Sequence, residues 1–188
     1  MLIVLSAPSG AGKTTIAKAI MQQMENLYFS VSATTRPKRK NEEEGTDYFF
    51  LTHEEFQWKI RNEELVEFEE IFGNYYGTLK STIDEALEKG DSLIFDIDVK
   101  GAVSIKRLYP DDCVSIFIMP PDLDTLRERI VGRDSDGERE IETRMARAQY
   151  EIDQKSEFDH VVVNDNLEHA IDEVKKILQD ERKKRTNS

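Results

Sequence analysis

The sequence has little cysteine, no long apolar run and a deficit of positive charge. Its one cysteine, Cys113, excludes an intrachain disulfide. The strand-like setting DDCVSIFI marks it as a small buried hydrophobe. No apolar run approaches the ~18 residues a membrane-spanning helix needs. MLIVLS lacks the basic leader, apolar length and cleavage site of a signal peptide. The expectation is a cytoplasmic protein that does not bind a membrane. Lysine and arginine number 26 against 38 Asp and Glu, a net charge of −12. That excludes non-specific nucleic-acid binding, which needs a broad positive potential. A small anionic ligand stays possible, because a local arginine cluster can act inside an acidic chain.

What is present suits one folded unit. The hydrophobic content of 38% supports a real core, and 188 residues suit one domain or one domain with inserted lobes. Apolar runs LIVLS (2–6), SLIFDID (92–98), CVSIFIM (113–119) and HVVVN (160–164) alternate with helical patterns at 13–24, 99–108, 122–132, 138–156 and 167–184. Continuous apolar runs of this kind predict parallel strands covered by helices on both faces. Pro120 and Pro121 followed by Asp122 predict a helix start capped by Asp122. Residues 30–90 read differently: DYFFL, LVEFEEI and YYGTL are strand-like, and Thr52 with Glu55 predicts a capping box opening a helix between them. This is the pattern of a small α+β lobe inserted into an α/β core. GRDSDGERE (132–140) is polar, charged and glycine-bearing, as a mobile lid would be.

The first apolar run ends in APSGAGKTT: Ala7, Pro8, Ser9, Gly10, Ala11, Gly12, Lys13, Thr14 and Thr15. This nearly fits the glycine-rich phosphate loop G-x-x-x-x-G-K-[ST], with Ala7 in place of the first glycine. Gly10 and Gly12 let backbone N–H groups converge on phosphate oxygens, and the following helix adds its positive N-terminal dipole. Lys13 would reach the β- and γ-phosphates of a nucleoside triphosphate, and Thr14 would ligate Mg²⁺. The motif follows a strand and precedes a helix, as its mechanism requires.

A second anion site is predicted in SVSATTRPKRKNEEEGTDYFF. Arg36 and Arg39, separated by Pro-Lys, can present two planar forks to one phosphate, and the Tyr48 hydroxyl adds a neutral donor. In LVEFEEI, Glu67 and Glu69 share one face of a strand. In LIFDIDVKGA, Asp96 and Asp98 stand near a strand's carboxyl end, where open α/β sheets bind ligands. His53, His160 and His169 are scattered and read as structural or surface residues.

Taken in order, SAPSGAGKTT, SVSATTRPKR, DYFF, EEIFGNYYGT, DIDVKGA, PPDLDTLRERIVGR and VVVND resemble the motifs of the guanylate kinases over residues 2–181. The resemblance implies an α/β P-loop nucleoside monophosphate kinase fold, a parallel sheet core flanked by helices with an inserted α+β GMP-binding lobe and a lid. The implied divisions are core 1–30, 83–131 and 150–188, lobe 31–82 and lid 132–149. The implied reaction is ATP + GMP to ADP + GDP, with Mg²⁺ as cofactor and ATP and GMP as partners. The resemblance assigns the GMP phosphate to Arg36, Arg39, Tyr48 and Tyr76, and the guanine to Ser32, Glu67, Thr78 and Asp98. It assigns Arg133 and Arg144 to the transferring phosphate with Arg129 beside them, and gives Asp96 an Mg²⁺ or water contact. Asn164 is expected near the adenine. Glu69, Arg127, Arg139 and Arg147 are expected at the surface.

Guanine chemistry agrees with that assignment. A carboxylate such as Glu67 can accept from guanine N1–H and N2–H, while Ser32 or Thr78 donates to O6. Adenine offers an acceptor at N1 and no N2 amine, so it would meet a repelled carboxylate. Asn41, Lys100 and Asp134 depart from the common family pattern, and Asp134 bears on lid flexibility. The alternatives are a P-loop kinase for another small acceptor, or a catalytically silent guanylate-kinase-like module that binds phosphopeptides. The presence of Lys13, Thr14, Arg133 and Arg144 weighs against the silent module.

Overall fold

The computed structural model describes residues 1–71, 73–131 and 138–186. The chain begins with β1 (Leu2–Ser6), α1 (Lys13–Gln23), β2 (Leu27–Phe29), β3 (Ala33–Thr34) and β4 (Phe49–Phe50). Next come α2 (His53–Arg61), β5 (Leu65–Ile71), β6 (Asn74–Leu79), α3 (Lys80–Glu88) and β7 (Ser92–Asp96). It closes with α4 (Val99–Leu108), β8 (Cys113–Met119), α5 (Leu123–Val131), α6 (Glu138–Asp153), β9 (His160–Val163) and α7 (Leu167–Thr186).

Among the described residues one sheet has the order β2-β7-β1-β8-β9, and every pairing in it is parallel. Successive side chains of β1 point to opposite faces and each meets a helical layer. Ile3 and Leu5 pack with Ile16 and Ile20 of α1 and with Val174 and Leu178 of α7. Leu2 and Val4 pack with Ile83 of α3, Ile105 of α4, Phe95 and Phe117. Burying each such side chain fully stabilises by about 1.5–3 kcal/mol. This explains why β1, β7 and β8 are apolar on both faces. Cys113 lies inside this core, and burial pushes its thiol up to about 12, so it is an inert hydrophobe.

The second sheet has the order β4-β3-β6-β5, with β3 and β4 parallel and the other pairs antiparallel. Its core is thin: Phe56 of α2 packs among Ala33, Leu65 and Leu79. The capping box forms as expected. Thr52 Oγ1 accepts from the Glu55 N–H at 3.1 Å, and Glu55 accepts from the Thr52 N–H at 2.7 Å. Asp122 likewise accepts from the Thr125 N–H at 2.6 Å at the start of α5.

Three local features differ from expectation. The strand predicted through residue 98 stops at Asp96, because Asp98 caps α4 by accepting from the Gly101 N–H at 2.8 Å. DYFFL forms only the two-residue strand Phe49–Phe50. Helix α3 was not expected from the sequence; it has no side-chain cap and no acidic first turn. It spans residue 82, and α6 spans residue 149, where the sequence suggested divisions between segments. Arg133, Asp134 and the first part of the expected lid, 132–137, lie outside the described residues.

Candidate active site

The carboxyl ends of β1 and β7 open into a cleft of about 710 Å³ whose opposite wall is the four-stranded sheet. Register sets Leu5 beside Asp96, so the phosphate loop leaves β1 next to that carboxylate. Gly10 and Gly12 have φ of 93° and 95°, the left-handed region that glycine enters without a Cβ penalty. Space forbids a side chain as well: a Cβ on Gly12 would stand 2.4 Å from Asn164 Nδ2. Ala7, by contrast, is not in the left-handed region, which explains why alanine can replace the usual glycine there. Helix α1 starts with Gly12 at its cap, no capping side chain and no acid in its first turn, leaving its N-terminal N–H groups for an anion.

The polar groups around this loop are mutually engaged. Lys13 Nζ pairs with Asp96 Oδ1 at 2.7 Å and donates to the Ile97 carbonyl at 2.8 Å. Thr14 Oγ1 donates to Asp96 Oδ2 at 2.7 Å. Pro8, Ser9, Gly10, Gly12, Thr14 and Thr15 line the cleft, whereas Ala11 is buried behind it. Arg144 on α6 reaches across to donate to Ser9 Oγ at 3.0 Å. Asn164 is buried and donates from Nδ2 to the Ala11 carbonyl at 2.8 Å, so it braces the loop from beneath. Arg129 donates to the Asn164 carbonyl at 3.2 Å and stands outside the cleft lining.

Thr14 and Asp96 also define where a divalent cation would fit. Mg²⁺ takes most of its octahedral oxygens from water and phosphate and only one or two from protein. A hydroxyl and a carboxylate side by side match that need. Among the described residues no group of three or more His, Cys, Asp and Glu could hold a metal unaided.

On the opposite wall, Thr78 Oγ1 donates to Glu67 Oε1 at 2.7 Å across the β5–β6 ladder. Burial pushes the Glu67 carboxyl above the ordinary carboxylate range; Asp98 and Glu69 add to the rise, and the Thr78 hydroxyl opposes it. Ser32, Tyr48, Glu67, Tyr76 and Asp98 all line the cleft. Tyr48 and Tyr76 stand edge to face at 6.1 Å between centroids. Arg36 lies over the Tyr48 ring at 5.4 Å and forms a fork with Glu42, at 2.6 and 3.0 Å. The hydrogen bond to Glu42 holds its guanidinium more firmly charged than usual, and the same bond pulls the Glu42 carboxyl down. Arg39 is exposed; its backbone N–H donates to Glu42 Oε2 at 2.8 Å.

Glu69 and Arg147 are exposed, as expected, yet also line this site, and sequence reasoning did not single out Glu42 and Glu151. Glu69, Arg147 and Glu151 line the cleft, and Glu42 holds Arg36. A signal for two of them existed: Arg147 is three residues after Arg144 on a predicted helix, and Glu151 is four after Arg147, so all three share a face. None of His53, His160 and His169 lines the cleft.

A glycine-rich loop between a parallel strand and a helix, with a lysine and a hydroxyl at its end, defines a P-loop nucleotide-binding protein of the α/β kinase type. Comparison with known proteins narrows the class. A model of the guanylate kinase family matches residues 1–181. The sequence is 47% identical over 180 residues to a guanylate kinase of Bacteroides thetaiotaomicron, covering 95% of this chain and 88% of that protein. It is 43% identical over 187 residues to a guanylate kinase of Thermotoga maritima, covering 100% and 90%. The crystal structure of guanylate kinase from Anaplasma phagocytophilum superposes with a TM-score of 0.72 at 36% identity, covering 96% of this chain and 85% of that one. A shikimate kinase from Bacteroides thetaiotaomicron shares the fold, with a TM-score of 0.51 at 13% identity. The chain belongs to the guanylate kinase family.

Proposed function

We propose that this protein transfers the γ-phosphoryl group of ATP to GMP, giving ADP and GDP. The observation that carries the proposal is the cleft itself, with a phosphate loop on one wall and, on the other, the Glu67 carboxylate held by the buried Thr78 hydroxyl. Phosphoryl transfer needs in-line placement and charge neutralisation more than covalent chemistry. The GMP phosphate already carries ionised oxygens, since its second pKa is about 6. No base is needed to activate it.

In this reading the loop amides and Lys13 hold the ATP phosphates, which requires Lys13 to exchange Asp96 for phosphate oxygens. Thr14 and Asp96 are the residues that would hold Mg²⁺, which would supply positive charge beside the phosphates. Arg144 acts on the transferring group, a role the family resemblance also gives to Arg133, and Arg129 and Asn164 fix the loop. Arg36, Arg39, Tyr48 and Tyr76 take the GMP phosphate; for Arg36 this means sharing its guanidinium between Glu42 and the ligand. Ser32, Glu67, Thr78 and Asp98 surround the guanine, and Asp98 keeps one carboxylate oxygen beyond its helix cap. Residues 31–82 act as the acceptor lobe and 132–149 as the lid. No helix among the described residues is long and apolar enough to cross a membrane, and we place the enzyme in the cytoplasm.

The test is a coupled assay of the purified chain with ATP and GMP, with Mg²⁺ and with excess chelator. ADP and GDP should form in equal amounts and only when Mg²⁺ is present. A folded protein that leaves both nucleotides unconsumed overturns the proposal.

A further inference from the structure

Arg147 and Glu69 face the same cleft from different elements, and neither has a role in the reading above. Arg147 lies on α6, three residues beyond the arginine that reaches Ser9. Its Nε donates to Glu151 Oε1 at 3.1 Å. The Glu151 side chain is 10% exposed and the Arg147 side chain 62%. Thus the carboxylate is fixed in the protein while the guanidinium projects outward. Among the described residues the Nη atoms of Arg147 make no further hydrogen bond. The fork is therefore anchored at one edge and open at the other.

Glu69 stands on β5, on the same strand face as Glu67. Among the described residues its carboxylate makes no hydrogen bond or ion pair. Arg147 and Glu69 together line the main cleft and also an adjoining cavity of about 220 Å³, shared with Asp98, Lys100, Tyr150 and Glu151. Glu151 chiefly, then Glu69 and Asp98, hold the guanidinium more firmly charged than usual. An open cationic fork and an unpaired carboxylate therefore face each other across the space that substrates must enter.

Resting on the kinase reading, we propose that Arg147 is a positioning residue: anchored by Glu151, it bridges from α6 to Glu69 on the four-stranded sheet when GMP is bound. A guanidinium meets a carboxylate through two parallel N–H···O bonds, so the contact fixes orientation as well as distance. The bridge ties the helix that carries Arg144 to the strand that carries Glu67. It also screens the negative charge of Glu69 from Glu67, favouring the ionised Glu67 that guanine N1–H and N2–H require. Its effect falls on acceptor capture, because among the described residues Arg147 bonds to Glu151 and not to the phosphate loop.

The test is a double-mutant cycle with Arg147→Gln, Glu69→Ala and both together. Glutamine keeps a donor for Glu151, and Glu69→Ala leaves the Arg147–Glu151 pair intact, so folding is preserved on both arms. Each single change should raise KM for GMP by about fivefold, the upper range for a partly exposed ion pair, with kcat and KM for ATP unchanged. The double change should cost no more than either alone. Losses that add, a KM for GMP that does not move, or a fall in kcat would overturn the inference. The parent chain's turnover of ATP with GMP is the reference. Its absence removes the kinase reading, whereas normal parent turnover with unmoved variants removes the bridge alone.

Discussion

The two walls of the cleft are built by opposite means. The phosphate-loop wall is one contiguous stretch, Ala7 to Thr15, seated on a five-stranded parallel sheet whose central strand is wholly buried. Its ligand groups are largely backbone N–H, which any small-residue sequence with the right turns can supply. The acceptor wall draws side chains from β5, β6, the 30–50 segment and the cap of α4, over a core with Phe56 at its centre. Backbone amides recognise phosphate in general, whereas side chains at defined positions recognise one base. On the proposed reading the difference teaches where each property would reside: generic triphosphate binding in the half with the larger core, acceptor choice in the thin-cored half, which has less apolar burial holding it against local opening.

The largest break in this comparison is Lys13→Met. It removes the one side-chain cation of the phosphate loop, and turnover should fall by about 10³-fold or more while GMP binding by calorimetry survives. Loss of GMP binding as well would mean that the two walls are not separable. Phe56→Ala probes the other half. Truncating a fully buried phenylalanine costs about 3–5 kcal/mol, and here the loss should be confined to the four-stranded sheet. Hydrogen exchange should rise in β3 to β6 while β1, β7 and β8 stay protected and an ATP analogue still binds. Exchange rising equally in both sheets would contradict two separately stabilised halves.

Glu67→Gln gives a smaller and two-sided effect. A charged hydrogen bond contributes about 1.5–3 kcal/mol, so kcat/KM for GMP should fall by about 10- to 100-fold. Stability should move the other way. The folded-state pKa of Glu67 is raised, so the native protein holds this proton more tightly than the unfolded chain. The resulting stability is full below the unfolded pKa and is lost as pH rises through the folded one. Glu67→Gln should therefore melt higher than the parent at pH 7, in the absence of nucleotide. The same shift predicts that the parent's KM for GMP, relative to that of Glu67→Gln, worsens on acidification at a pH above the ordinary glutamate range. A parent and variant with parallel pH profiles would show that Glu67 does not carry the guanine contact.

How much was legible in the sequence follows the same division. Strands β1, β7 and β8 could be read because burial on both faces leaves apolar runs, and the phosphate loop because its glycines, lysine and threonine fall within six residues. The capping residues Thr52, Glu55, Asp98 and Asp122 act within three residues of themselves, so two of the caps were visible directly. Asp98 misled, since an alternating carboxylate looks like strand until its hydrogen bond to Gly101 is seen. Helix α3 escaped because it has no cap signal; its marks are Ile83 and Ala86 at helical spacing and Gly90 with φ 74° after its end. The acceptor residues were placed by family resemblance. Beyond it, Glu69 and Arg147 are exposed as expected while lining the cleft, and Glu42 and Glu151 were missed because charged side chains read as solvent-facing until a fold sets a partner opposite them.

The most direct measurement is a panel of acceptors, GMP, dGMP, AMP, UMP and CMP, assayed one by one with ATP and Mg²⁺ against the same purified protein. A site that hydrogen-bonds its base discriminates by about 10⁴ in kcat/KM. GMP, with dGMP beside it, should lead the other three by that margin. AMP or UMP turned over as well as GMP would contradict the assignment of Glu67 and Thr78 to guanine, and with it the division of labour between the two walls.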